Sequence, residues 1–248
     1  MRCYYIDVSI KCIVSGQKGG VGKSTLTILT TRAAPALGIR LAVIDLAMGN
    51  PSTSLNLLSG VPRHTLATYV INASKVSEVI HIVSTEHGPV YLVPSGHGDL
   101  ALVNEYGDFR DKLDSLIKYL IDRVKVDNVV IDFPSFEPNL DHVFTEALSV
   151  CDTVYPVGIQ DLGSVIALRN LLHFVRRLSI NVGRPVINMF RESLGRQWVA
   201  AVGKLVGLEP SVVHYDPWVI RWVHDGVGQY GGVGVREALT YVIKEILS

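Results

Sequence analysis

Residues 11–25 read Lys-Cys-Ile-Val-Ser-Gly-Gln-Lys-Gly-Gly-Val-Gly-Lys-Ser-Thr, and this stretch decides the fold. An apolar, β-branched run over 11–15 predicts a buried strand, and an apolar stretch of helical period predicts a helix over 24–37. The glycine-rich turn between them can point its backbone N–H groups inward around an anion, and the start of the helix adds partial positive charge. The stretch therefore predicts a strand, phosphate-binding loop and helix in succession.

The side chains at the end of this loop indicate which phosphate it binds. Gly19, Gly20 and Gly22 allow the backbone to turn, Lys23 is placed to reach β- and γ-phosphates, and the Ser24 hydroxyl is placed to bind Mg²⁺. We therefore expect a nucleoside triphosphate with Mg²⁺.

Apolar, β-branched runs alternate with helical segments along the rest of the chain. This alternation predicts an α/β fold, a mostly parallel twisted sheet with helices on both faces, because right-handed crossovers place a helix between parallel strands. We predict one domain over 11–248, with 1–10 as an N-terminal extension or edge strand and 46–89 as the least regular region. The remaining predicted strands are 41–45, 90–94, 128–132, 153–157, 185–188 and 211–215, and the remaining predicted helices are 110–125, 139–149, 161–178, 196–206 and 235–247.

Composition excludes several classes of protein. Hydrophobic residues make up 48% and charged residues 19%, which argues against extended disorder, and Lys+Arg and Asp+Glu number 23 each, which excludes a polycation. Charges interrupt the apolar stretches, so we expect neither a signal peptide nor a membrane span. Cys3, Cys12 and Cys151 lie far apart without a CxxC pair, so we expect three unpaired packing residues in a reducing cytoplasm.

The loop resembles the deviant Walker A motif, KGGxGK[ST], of the ParA/MinD superfamily of P-loop ATPases. In that family the first lysine, matched here by Lys18, crosses the interface of a nucleotide-sandwich dimer and touches the partner's phosphates. The resemblance therefore implies ATP, Mg²⁺ and an ATP-dependent homodimer. Gln17 resembles the ParA partition branch more than the MinD or Mrp branches.

Other segments extend this resemblance from about residue 11 to residue 247. Residues 129–135 resemble the Walker B strand, in which Asp132 holds Mg²⁺ through a water. Asn188 matches an adenine-binding position, and Asp216 belongs to a second base-contacting segment, 214–216. The nucleotide contacts implied in total are Gly19, Gly20, Val21, Gly22, Lys23, Ser24, Thr25, Asn188 and Asp216, with Lys18, Lys23, Asp45 and Asp132 as catalytic residues and with Ser24 and Asp132 at the metal.

One family carboxylate is missing. Relatives read D-x-D after the second strand; Asp45 matches the first Asp, but the second, which orients the attacking water, is Ala47. A methyl group cannot orient water, so hydrolysis should be slow unless Asn50 or Asp45 substitutes. The alternative is that the strand is misaligned by a residue or two and another acidic side chain serves.

A basic stretch offers a DNA surface. Residues 165–204 carry seven Lys and Arg against the single acid Glu192, and ParA-like proteins bind DNA non-specifically when ATP is bound. The alternative is a set of solvated helix faces. The candidate DNA contacts are Arg169, Arg176, Arg177, Arg191 and Arg196.

The expected function is that of a ParA-like ATP switch, a weak ATPase that dimerises on ATP and partitions DNA with a separate ParB-like or adaptor partner. We expect it in the cytoplasm, on the nucleoid if DNA binding holds. The alternatives are a MinD-like spatial regulator, a hydrolysis-deficient nucleotide-binding adaptor and an Mrp-like metal-cluster carrier. The ending 235–248 has two basic and two acidic residues, which favours packing in the core over membrane binding.

Overall fold

The computed structural model describes residues 8–48, 51–58, 60, 62–96, 108–137, 141–219, 223 and 233–248. Nine strands form one sheet in this part of the chain, and all the strand pairs are parallel except β3 with β4. The strands are β1 (Ser9–Val14), β2 (Leu41–Asp45), β3 (His81–Thr85), β4 (Gly88–Val93), β5 (Asn128–Asp132), β6 (Thr153–Gly158), β7 (Asn181–Val182), β8 (Val186–Phe190) and β9 (Ser211–His214).

The strand order places the glycine-rich loop at the centre of the sheet. The order is β3-β4-β2-β5-β1-β6-β8-β9, with β7 beside β6. The carboxyl ends of β1, β2 and β5 therefore lie side by side, which is where ligands bind in open parallel sheets.

Helices cover both faces of the sheet. They are α1 (Lys23–Ala33), α2 (Ser52–Leu57), α3 (Leu66–Val70), α4 (Phe109–Tyr119), α5 (His142–Leu148), α6 (Leu162–Arg177), α7 (Gln197–Val206), α8 (Val233–Glu237) and α9 (Lys244–Leu247), with 3₁₀ turns at Pro35–Leu37 and Glu192–Leu194 and π-helical turns at Leu120–Val124 and Ala238–Ile243. No helix in these ranges is both long and apolar enough to cross a bilayer.

Alternating side chains of the central strands build two hydrophobic cores. On one face, Cys12 and Ile131 pack with α4, α5 and α6. On the other, Ile13 and Val130 pack with α1 and with the segment that ends in α9. Both faces of each central strand are buried, which explains why these strands read as nearly continuous apolar runs. The final helical segment packs in the core, as predicted.

The α/β prediction is confirmed, and all seven predicted strands are present. Two further strands were not predicted: β3, which hairpins with β4 inside the region expected to be irregular, and the two-residue β7. β3 is a half-exposed edge strand and lacks a continuous apolar run. β1 begins at Ser9, inside the predicted N-terminal extension, and residues 1–7 lie outside the described residues.

The prediction of three unpaired cysteines is wrong for two of them. Cys12 in β1 and Cys151 just before β6 form a disulfide, with Cα atoms 6.0 Å apart and a sequence separation of 139. Both are buried. The pairing arises because β1 and β6 are neighbours in the sheet, which spacing along the chain does not reveal.

Candidate functional site

The glycine-rich loop runs from the end of β1 to the first residue of α1, Lys23. Gly20 and Gly22 have positive φ angles of 71° and 90°. A Cβ at Gly22 would lie 2.2 Å from Nδ2 of Asn188, whereas one at Gly20 would meet nothing within 4 Å. Position 22 therefore requires glycine for both its conformation and its close contact with β8.

The lysine at the start of α1 is held across the loop. Lys23 is buried, and its Nζ donates hydrogen bonds to Ser15 Oγ at 2.8 Å and Ser135 Oγ at 3.3 Å. Burial lowers the pKa of Lys23, and the Asp132 carboxylate opposes part of that shift. An ammonium group held this way fits the anion-binding role that the sequence predicts for Lys23, which stays a prediction.

Two carboxylates lie beneath the loop. Asp45 ends β2 and Asp132 ends β5, and the two are paired in register; both are fully buried. Burial and the charge of Asp45 raise the pKa of Asp132 to about 7, and burial raises the pKa of Asp45. Two buried carboxylates side by side need a cation or a proton to be stable, which fits a metal-binding role.

The groups that donate hydrogen bonds to these carboxylates lie in the first turn of α2 and in the segment between β2 and α2. Asp45 Oδ1 accepts the Ala47 N–H at 2.9 Å, while its Oδ2 accepts from the Ser54 N–H at 2.9 Å and the Ser54 hydroxyl at 2.6 Å. The Thr53 hydroxyl donates to Asp132 Oδ2 at 2.6 Å. Sequence reasoning missed Thr53 and Ser54, because they lie in the region expected to be irregular.

Asp132 retains one oxygen for a metal. Its buried Oδ1 has no hydrogen-bond partner among the described residues, and the nearby Ser24 hydroxyl lowers the pKa of the same carboxyl group. A hydroxyl beside a buried carboxylate oxygen is a hard-donor set suited to Mg²⁺ and its waters. Ser24 and Asp132 therefore fit the predicted metal role.

A cavity of about 650 Å³ opens between the loop and the ends of β2 and β5. Ala47 lines it and is 8% exposed, so position 47 presents a methyl group to the cavity. Its lining residues are Gly19, Gly20, Gly22, Lys23, Ser24, Thr25, Ala47, Met48, Ser52, Phe133, Pro134, Ser135, Asp141, Phe144 and Met189. The cavity is large enough for a nucleotide.

The predicted base contacts are only partly brought to this cavity. Asn188 in β8 is buried and its Nδ2 donates to the Val21 carbonyl at 2.9 Å, so the adenine candidate touches the loop directly. Asp216 does not line the cavity; its Oδ1 accepts the Trp218 N–H at 2.9 Å, and its buried Oδ2 has no hydrogen-bond partner among the described residues.

Lys18 lies outside the cavity wall. Its Nζ is 3.0 Å from Asp161 Oδ2, and the two side chains are 36% and 35% exposed. Asp161 also caps α6 by accepting the Ser164 N–H.

The sequence offered Asp45 and Asn50 as residues that could orient water in place of a carboxylate at position 47. Asp45 is not available, because both of its carboxylate oxygens accept hydrogen bonds within the protein. Asn50 lies outside the described residues.

The five candidate DNA-binding arginines do not form one free patch. Arg176 donates to the Leu205 carbonyl at the end of α7 at 2.9 Å. Arg191 stacks on Tyr215, its guanidinium carbon 4.4 Å from the ring centre. These contacts use the guanidinium groups to hold neighbouring segments together, so a count of charges along the chain overstated the patch.

Arg196 is also engaged, whereas two arginines on α6 are not. Arg196 pairs with Glu192 at 2.6 Å. Arg169 and Arg177 are exposed on α6 and make no ion pair or hydrogen bond within the described ranges. Of the five candidate arginines, these two are therefore the ones available to bind the phosphates of DNA.

Together, the central glycine-rich loop, the buried lysine and the paired carboxylates define a P-loop nucleotide-binding protein. The family described as "AAA domain" matches residues 10–186, more than half of the chain, so the chain belongs to that family. Within it, the deviant loop with Lys18 and the fold identify a P-loop ATPase of ParA/MinD type, as the sequence resemblance predicted.

Comparisons with known proteins agree on this fold. The antiactivator FleN of Pseudomonas aeruginosa is 29% identical over 177 residues, 67% of this chain; the match spans 59% of FleN. MinD of Pyrococcus horikoshii, complexed with Mg-ADP, has a TM-score of 0.75 at 20% identity and covers 97% of this chain and 99% of its own. A putative plasmid partition protein of Borrelia burgdorferi, bound to AMPPNP, has a TM-score of 0.72 at 18% identity and covers 97% of this chain and 98% of its own.

Proposed function

We propose that this chain is a ParA-like ATP switch that binds Mg·ATP, forms an ATP-sandwich homodimer and partitions DNA with a separate ParB-like or adaptor partner. One observation carries the proposal: the glycine loop, Lys23 and Ser24 line the same cavity as Ala47, which offers a methyl group where the resemblance implies a water-orienting carboxylate. Binding without rapid turnover is the property of a long-lived switch state. The Mg-ADP in one solved relative and the AMPPNP in the other support the choice of ligand.

Slow hydrolysis follows from Ala47. In this proposal Lys23 neutralises phosphate charge and Asp132 holds Mg²⁺. Neither residue orients the water that attacks the γ-phosphate. Replacing Ala47 with Asp should raise kcat at least about ten-fold, because a positioned base contributes about 10²–10⁴-fold. Phosphate release at saturating ATP measures the gain, with Ala47→Asn as the control that adds bulk without a carboxylate. Equal rates for all three proteins would reject this explanation.

Dimerisation is proposed to need Lys18. Its side chain is outside the cavity of its own protomer and one-third exposed, which leaves it accessible to a second copy once the Asp161 pair opens. Light scattering should show a dimer with Mg·ATP and a monomer with ADP. Lys18→Ala should stay monomeric with ATP while binding the nucleotide.

DNA binding is proposed to use Arg169 and Arg177, which a dimer presents twice. Anisotropy of a random-sequence duplex at low salt should rise with Mg·ATP but not with ADP or without nucleotide. Removing both arginines should weaken binding and flatten its salt dependence by about one unit of slope per lost phosphate contact. The double variant Arg110→Ala, Arg123→Ala is the matched control, because both residues are exposed on or directly after α4.

A second candidate is a hydrolysis-deficient, nucleotide-binding regulator of a partner protein. Ala47 favours it, and so does the likeness to FleN, an antiactivator by name. If DNA binding is absent in every nucleotide state while Mg·ATP still binds, this candidate replaces the first. We also propose the cytoplasm as the location, with the nucleoid as the site of DNA binding.

A further inference from the structure

We propose that Asp141 replaces in part the carboxylate that position 47 lacks: with one oxygen bonded to the Glu137 N–H, it orients the water that attacks the γ-phosphate with its other oxygen, which gives slow turnover that a second carboxylate at position 47 would raise. The inference rests on the proposed function, since it assumes that Mg·ATP binds in the cavity. It accounts for how this chain can turn over ATP at all with a methyl group at Ala47.

The carboxylates at the strand ends are not available for this role. Asp45 accepts three hydrogen bonds from Ala47 and Ser54 and is 0% exposed. Asp132 is also 0% exposed; its Oδ2 accepts from Thr53, and its Oδ1 would hold Mg²⁺ through a water. Both lie beneath the cavity wall and neither lines it.

Asp141 is the only acidic side chain among the described residues that line the cavity. It lies at the start of α5, on the wall that also includes Ser135 and Phe144. Its Oδ2 accepts the Glu137 N–H at 2.6 Å, and its own N–H donates to the Glu137 carbonyl at 2.9 Å. One carboxylate oxygen is therefore held by a hydrogen bond, and the backbone of Asp141 is held by a second one to the same residue.

The segment that carries Asp141 is attached to the phosphate loop. The Phe136 N–H donates to the Gly16 carbonyl at 3.1 Å, and Ser135 Oγ accepts from Lys23 Nζ at 3.3 Å. Phe136 also packs on Phe144, with ring centres 5.7 Å apart, which holds α5 against this segment. The position of Asp141 is thus set relative to the groups that bind the phosphates.

The step is an in-line hydrolysis. The water oxygen bonds to the γ-phosphorus while the bond between that phosphorus and the β–γ bridging oxygen breaks, and ADP leaves with the electron pair. The water proton passes to the Asp141 carboxylate and then to solvent, so ATP and water give ADP and phosphate with no further reactant. Lys23 would hold the phosphates, and Ser24 would help to hold Mg²⁺.

The test is Asp141→Asn, which keeps an oxygen that can accept the Glu137 N–H and removes the base. We expect kcat to fall about ten-fold or more, towards the rate of Lys23→Ala, while the Kd for a fluorescent ATP analogue with Mg²⁺ changes less than about two-fold. Glu146→Gln is the matched control, because Glu146 is exposed on the same helix and does not line the cavity; its kcat should equal that of the wild type. Thermal melts of both variants check folding.

The double variant Ala47→Asp, Asp141→Asn separates a water-orienting role from a structural one. It should recover turnover, because a carboxylate at position 47 makes the one at position 141 unnecessary. A wild-type kcat in Asp141→Asn, or no recovery in the double variant, would overturn the role of Asp141. Loss of analogue binding by the wild type would instead overturn the proposed function.

Discussion

The disulfide between Cys12 and Cys151 should contribute strongly to stability. It closes a loop of 139 residues, and the loop-closure relation for the unfolded chain gives about 5 kcal/mol for a loop of that length at 25 °C. For a domain of about 250 residues, 1 kcal/mol corresponds to a change in Tm of about 2–4 °C. Opening the disulfide should therefore lower Tm by roughly 10–20 °C.

The assay compares thermal melts of oxidised protein, fully reduced protein and Cys151→Ala. Reduction requires transient unfolding because both sulfur atoms are buried, so the reduced sample is unfolded with a thiol reductant and refolded. Cys3→Ala is the control and should melt like the wild type.

A count of reactive thiols in unfolded, unreduced protein tests independently whether the disulfide forms. Cys3 should react as the one remaining thiol before reduction, and all three cysteines should react afterwards. Three reactive thiols before reduction, or equal Tm values for oxidised and reduced protein, would refute the account.

Three further predictions concern the site and its supports. Gly22→Ala should abolish binding of an ATP analogue, because its Cβ would collide with Asn188, whereas Gly20→Ala, with open space around it, should weaken binding less; titration of the analogue measures both. The pKa of Asp132 is raised to about 7, so folded protein binds more protons than unfolded protein between about pH 4 and 7, and the unfolding free energy of metal-free protein should fall across that window and then level off. Asp132→Asn should reduce this fall in urea titrations with EDTA at pH 5 and 8 without abolishing it, because burial also raises the pKa of Asp45; an unchanged fall would contradict the assignment. Asp161→Ala should cost about 1–2 kcal/mol of unfolding free energy, mostly from the lost cap of α6, since the exposed pair with Lys18 adds at most about 1 kcal/mol; a loss above about 3 kcal/mol would contradict this.

Patterns within short segments of the sequence predicted the central strands, the phosphate loop and the final helix of this protein. The phosphate loop, the strands that end in Asp45 and Asp132 and the final core helix all follow from residues that are neighbours in sequence. Edge elements such as β3 escaped prediction because half-exposed strands lack a continuous apolar run. The charge-based prediction of a basic surface was only partly useful, because Arg176 and Arg196 bind groups within the protein.

The sequence by itself determined that this chain is an α/β P-loop protein with a methyl group at position 47. Those features are read from short segments, whose hydrogen bonding and packing depend on nearby residues. Only the tertiary structure decided that Cys12 meets Cys151, that Thr53 binds Asp132 and that Asp141 lines the cavity. These contacts join residues far apart in the chain, and they depend on which strands become neighbours and on how each helix packs against the sheet.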